Sequence, residues 1–313
     1  MDIATALNGT NSTEAFYEVK LSSSVFGKSH VMADMVVSGI CVLSFLVFYV
    51  WRCCFQRKDE YTKKIFAKLL PGSIFLMILY FGLEFANTVL LIIGELRVIQ
   101  YYPSLIALDF ISLFADSSLL SFLLIMFAKR IYDHTGKDDS SILLYKGYCW
   151  IVTAIAVANI PAFFYQGFES IMSEGTQDAL NKSGGIKIKI LASYGALNIS
   201  FYGVCIGGVF ILAWITISHL RKLGEGIIRH SILKTCMPLL IVSLLARTIG
   251  KFIYAILFVL QARTKSPTMQ LIHTIFYGLL SVLIYGSIMV TARSDSLCQI
   301  ENNTDYIALS YTS

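Results

Sequence analysis

Residues 235 to 261 read TCMPLLIVSLLARTIGKFIYAILFVLQ, an apolar run interrupted only by Arg247 and, one helical turn later, Lys251. As a helix it would rise about 40 Å, more than the roughly 30 Å of a bilayer's hydrocarbon layer. A cation at that depth is costly unless it faces other protein groups, so the stretch predicts a membrane helix whose charged side points into a bundle. Working outward, six more runs of spanning length follow: His30 to Trp51, Lys68 to Gly94, Ser104 to Ala128, Tyr148 to Phe168, Ile190 to Ile217 and Met269 to Ala292. Each must satisfy its own backbone hydrogen bonds in hydrocarbon, which makes it a helix, and none has the strict alternation of a barrel strand. The expected fold is therefore all-α, a seven-transmembrane helix bundle. With 56% hydrophobic and 14% charged residues, the chain does not have the composition of a cytosolic enzyme.

Positive charge is retained on the cytoplasmic side of a membrane. Segments 52 to 68, 129 to 147, 218 to 235 and the tail from Arg293 together hold 15 Lys and Arg residues, against 8 in the segments on the opposite side. The N-terminus is thus expected outside and the C-terminus in the cytoplasm. The domain plan is an extracellular tail over 1–29, a transmembrane domain over 30–293 and a short cytoplasmic tail over 294–313. Residues 1–29 have no apolar core of a cleaved leader, so the first helix is expected to serve as the signal. Glycosylation sequons at Asn8, Asn11 and Asn181 fall on the predicted outer side. Those at Asn198, within a helix, and Asn302, in the tail, are expected to be silent. No cysteine is predicted outside, which argues against an extracellular disulfide. Cys53, Cys54 and Cys298 occupy juxtamembrane positions suited to palmitoylation.

Ionisable residues within spans are where function is sought first. Helix 2 offers Glu84 beside Asn87, helix 3 Asp109 and Asp116, and helix 6 Arg247 and Lys251. Counting inward at about 1.5 Å per residue places acidic and basic groups at matching depths. The expected pairing is Asp116 with Arg247, with Lys251 facing Glu84 or Asp109. His273, Tyr194, Tyr202 and Tyr254 are expected to complete an outward-facing polar chamber. The competing reading is that these pairs only fix helix register. Pro71, Pro161 and Pro238 are expected to bend helices 2, 4 and 6. Gly203 and Gly207, and Gly278 with Gly286, are expected to thin helices 5 and 7 for close contact.

Only five histidines are present, at 30, 134, 219, 230 and 273, with no His-x-x-x-His pair. This argues against a zinc-dependent hydrolase of the seven-helix type, and neither an enzyme activity, a metal nor another cofactor is expected. Helix 7 has no lysine between Met269 and Ala292 on which a retinal Schiff base could form. The tail segment Tyr306-Ile-Ala-Leu309 has the pattern of a sorting signal read by clathrin adaptors, with Ser310, Thr312 and Ser313 as candidate phosphosites. In helix count and termini, residues 30 to 293 resemble G-protein-coupled receptors. That resemblance is topological: Ala128-Lys129-Arg130 stands where rhodopsin-like members carry Asp-Arg-Tyr, and their helix 6 and helix 7 signatures are absent. It implies a role for Arg130 and the basic loop from Arg221 to Arg229 against a G protein. The run from Pro238 through Arg247 to Lys251 and Tyr254 is similar to a pattern in uncharacterised fungal seven-helix families, which implies a receptor-like orphan.

The expected function is that of a receptor-like protein in a plasma or endosomal membrane, with lipid, an unidentified small ligand and a G protein or clathrin adaptor as partners, and no nucleic acid. Glu84, Asp109, Asp116, Arg247, Lys251 and His273 would bind the ligand or form the lock it releases. The competing class is a proton- or ion-coupled transporter using the same carboxylates. The third is an accessory membrane protein with purely structural ion pairs.

Overall fold

The computed structural model describes residues 28–55, 60–135, 140–173, 177–222, 231–261 and 267–293. Within these, the side chains of 54–68, 98–99, 101–103, 105–106, 127–144, 162–194, 218–235, 258–270 and 291–293, with that of Lys28, lie outside the description. The described residues form seven helices: α1 Lys28–Phe55, α2 Glu60–Ile93, α3 Val98–Thr135, α4 Ser140–Ser173, α5 Gln177–Lys222, α6 Ser231–Gln261 and α7 Pro267–Arg293. The all-α expectation holds, and the helices run longer than the apolar runs alone required.

Six helices are long and apolar enough to cross a membrane among the described residues: Ser29–Cys53, Leu69–Ile93, Ala107–Met126, Gly195–Ile217, Cys236–Leu257 and Leu271–Val290. The fourth expected span, Tyr148 to Phe168, extends beyond the described side chains. Its described part turns Trp150, Ile151 and Val157 outward.

The surface has the polarity of a lipid-facing protein. On α1, Val36, Ile40, Leu43, Val47 and Val50 form an exposed stripe at helical spacing, while Asp34, Ser38, Cys41 and Phe45 on the other face are buried. A helix that turns its carboxylate inward and its branched apolar chains outward has been sorted against hydrocarbon, not water.

Each helix packs against its neighbours in sequence, α7 closes the ring against α1, and α3 also meets α5. Within its apolar window α3 is 61% buried and α1 28%, so α3 is the inner helix and α1 a peripheral one. Contacts fix the directions. Ser73 of α2 meets Ala115 of α3 and Asn87 meets Ser104, an antiparallel pair. Cβ positions at Gly278 and Gly286 of α7 face Cys41 and Phe48 of α1, a parallel pair.

The turn from α2 to α3 rests on Gly94, whose φ of 77° is left-handed. That conformation lets the amides of Glu95 and Leu96 return to the carbonyl of Leu90 at 3.0 and 3.3 Å and end the helix. Pro71, Pro161 and Pro238 all lie within helices. The expected close approaches occur: Gly203 faces Phe252 of α6, Gly207 faces Tyr148 of α4, and Gly278 and Gly286 face α1.

Candidate functional site

Arg247 and Lys251 are four residues apart on α6 and so project from one face of it. Asp116 occupies the enclosed helix α3, and both cations reach its carboxylate. Arg247 Nη2 is ion-paired with Asp116 Oδ1, and Lys251 Nζ lies 3.0 Å from Oδ2. Their side chains are 2%, 6% and 15% exposed for arginine, lysine and aspartate, so the charges meet out of solvent.

Tyr277 of α7 completes this centre. Its hydroxyl accepts from Arg247 Nη2 at 2.8 Å and stands 3.4 Å from Asp116 Oδ1 and 3.5 Å from Met77 Sδ. Its ring lies 4.5 Å from Arg247 Cζ and 3.8 Å from Lys251 Nζ, measured to the centroid. An aromatic face stabilises a desolvated cation by about 2 kcal/mol or more. One carboxylate and one phenol therefore hold two cations, and α3, α6 and α7 are tied at one point.

The centre adjoins a small cavity lined in part by Asp116, Tyr202, Cys205, Arg247 and Thr248. About 20 Å³ is open to the centre of a water molecule, room for roughly one water. Arg247 Nε and Nη1 are buried without a hydrogen-bond partner among the described residues. The guanidinium thus retains donors for a polar group brought to it.

A second polar cluster lies about one turn of α7 away, at Thr274. The Thr274 hydroxyl donates to Glu84 Oε1 of α2 at 2.8 Å and is also within hydrogen-bonding range of the Asp34 carboxyl of α1. Asp34, Glu84 and Thr274 are all buried. Between the two clusters runs an aromatic layer: Tyr80 and Tyr277 meet edge to face at 5.2 Å, and His273 stacks on Tyr277 at 5.7 Å and against Tyr254 at 4.7 Å.

The expected Asp116–Arg247 pair is present. The expectation for Lys251 is revised: its ion pair goes to Asp116, because one turn of α6 brings both cations to the same carboxylate, and Asp109 is a further electrostatic neighbour. Glu84 hydrogen-bonds Thr274, and His273 sits in the aromatic layer. Asp109 is half-buried. Tyr202 presents its ring 5.8 Å from Lys251 Nζ. Tyr194 is outside the described side chains.

Cys53 is exposed at the end of α1. Asn181 falls within α5, its side chain undescribed. Asn8, Asn11, Cys54, Cys298, Tyr306 and Leu309 lie outside the described residues, as does the basic loop Arg221 to Arg229 in its side chains.

Sequence reasoning missed Tyr277, Thr274 and Asp34. Asp34 carried a signal, as a carboxylate inside the first apolar run. Tyr277 and Thr274 carried little, because tyrosine and threonine are tolerated in membrane helices wherever a neighbour can take their hydrogen bond.

No family model matches this chain, and no curated protein and no solved structure shows significant similarity to it.

Proposed function

We propose that the chain is a receptor-like membrane protein of seven spanning helices, with its N-terminus outside, that senses a small polar ligand through the centre at Asp116. The observation that carries the reading is the sharing of one part-buried carboxylate by Arg247 and Lys251. A single salt bridge would suffice to fix register. Two cations on one anion leave excess positive charge beside a cavity, and a ligand able to take one cation over would loosen α6 from α3.

Because the cavity admits roughly one water, any larger ligand enters only with helix movement around Asp116. That movement is the signal in this reading. α6 carries Pro238 between the polar centre and the predicted cytoplasmic end, and its swing would reach the basic segments on that side. A G protein would read those segments, and a clathrin adaptor would read Tyr306 and Leu309.

The test uses full-length protein in liposomes, its orientation set by the glycosidase shift at Asn8 and Asn11. Ion and proton flux is measured alongside deuterium uptake by α6, for wild type and Asp116→Asn. The receptor reading expects no flux and faster exchange in α6 of the variant. Flux that Asp116→Asn abolishes would instead establish a carrier. No flux and unchanged exchange would leave a structural bundle.

A further inference from the structure

The cluster at Asp34, Thr274 and Glu84 obeys a different constraint from the ion-paired centre. Asp34 is 5% exposed, Glu84 3% and Thr274 0%. A threonine hydroxyl has one hydrogen, and here it is given to Glu84 Oε1 at 2.8 Å. The Asp34 carboxyl faces the same hydroxyl oxygen. Two acceptors cannot use one hydrogen, so a chain of two hydrogen bonds through this hydroxyl requires a hydrogen on one of the carboxyls. If Asp34 carries it, Asp34 donates to Thr274 and Thr274 to Glu84; with the hydroxyl turned, the order runs the other way.

A second observation points to an occupant. Asp34 Oδ1 is buried with no hydrogen-bond partner among the described residues. An ionised carboxylate with an unserved oxygen is expensive away from water, whereas a carboxylic acid can place its proton there. Arg247 and Lys251 are engaged by Asp116.

The surroundings are closely packed. Gly278, one turn along α7 from Thr274, would place a Cβ 2.6 Å from Cys41 Sγ of α1, and Gly39 of α1 would place one 3.3 Å from the Phe85 ring of α2. Small residues thus hold the three helices together at this level. The titratable groups around the cluster are Cys41 on α1 and Tyr80 on α2, both electrostatic neighbours of Glu84. His273 and Tyr277 on α7 lie in the aromatic layer. Beyond Tyr80 are Asp109 of α3 and Tyr254 of α6.

We infer that Asp34, Thr274 and Glu84 form a proton-binding site, in which two carboxyls from α1 and α2 hold one proton at neutral pH through the hydroxyl of α7. Loss of that proton leaves two anions against one hydroxyl and drives α1 from α2 and α7. This inference does not depend on what the centre at Asp116 binds.

The experiment is infrared difference spectroscopy of purified full-length protein in nanodiscs as pH is varied. Wild type at neutral pH is expected to show the carbonyl stretch of a protonated carboxyl, shifted by carboxyl-labelled aspartate or glutamate. Asp34→Asn and Glu84→Gln should each abolish the whole band, since one proton serves both groups, while Asp116→Asn should leave it. Thr274→Val should shift the band, because the relay hydroxyl is gone.

Absence of a protonated carboxyl in wild type at neutral pH overturns the proposal, and that arm needs no variant to fold. A band indifferent to both Asp34→Asn and Glu84→Gln in folded protein also overturns it. So does a wild-type band that sodium discharges at fixed pH, which would make the occupant a metal cation.

Discussion

The centre at Asp116 and the cluster at Asp34 lie about one turn of α7 apart, yet they meet the cost of buried charge in opposite ways. At Asp116 the anion has two cations and a phenol around it. At Asp34 and Glu84 two carboxyls converge on one hydroxyl. The first arrangement is stiff, because moving any helix separates unlike charges in a medium of low dielectric. The second is soft, because a single proton decides whether it attracts or repels. A bundle containing both has a clasp between α3, α6 and α7 and a titratable joint between α1, α2 and α7.

The largest effect expected from breaking this contrast is at Asp116. Asp116→Ala leaves Arg247 and Lys251 buried together, and removal of one partner from a buried pair costs about 3–5 kcal/mol. Arg247→Ala should cost less, since Lys251 still neutralises Asp116. The check is thermal unfolding in nanodiscs of the two single variants and the double. Coupling of at least about 0.5 kcal/mol is expected for groups in one network. An Arg247→Ala loss equal to that of Asp116→Ala, or strict additivity, would show that the carboxylate is not shared.

A packing change should come next. Gly278→Ala places a methyl 2.6 Å from Cys41 Sγ, an overpacking that typically costs about 1–3 kcal/mol. Adding Cys41→Ala removes the sulfur and should restore most of the loss. Failure of that rescue would mean that α1 and α7 do not approach there, and the close packing around the acidic joint would be in question.

Thr274→Val tests the joint without introducing charge. Valine keeps the shape and removes the hydroxyl, so one buried carboxyl loses its donor, at a cost of about 1–3 kcal/mol. Measured across pH, the variant should lose most stability near neutrality, where the two carboxyls share one proton through the hydroxyl, and least in acid, where each can carry a proton. A loss independent of pH would assign Thr274 to packing alone.

Much of this is legible in the sequence. Long apolar runs specify helices because the bilayer leaves no other way to satisfy the backbone, so all seven runs fall within helices of the fold but for Gly94 at the end of the second. Asp116 and Arg247 were legible as partners because opposite charges at one depth must find each other. The partner of Lys251 was not, since depth along a helix says nothing of azimuth around the bundle, and that is set by side-chain packing on α3 and α7. Tyr277 was hidden because neither hydropathy nor charge marks a phenol at the centre of a polar site. Asp34 was visible but has no basic counterpart among the described residues, and ion pairing does not single out a carboxyl whose company is another carboxyl.

The smallest expected effect supplies the baseline for both halves of the comparison. Ser73 of α2 bonds the Tyr285 hydroxyl of α7 and donates to the Ala115 carbonyl of α3 at 3.1 Å, linking α2, α3 and α7 without a formal charge. Neutral hydrogen bonds between membrane helices average about 0.6 kcal/mol, because the separated helices find other partners. Tyr285→Phe should therefore change unfolding by about that much and leave the pH dependence of stability as in wild type. If this neutral tie proves as costly to remove as Thr274, ordinary hydrogen bonding accounts for the acidic joint and no shared proton is needed. A clear excess at Thr274 that vanishes in acid would instead isolate the part of its contribution that comes from keeping two carboxyls on one proton.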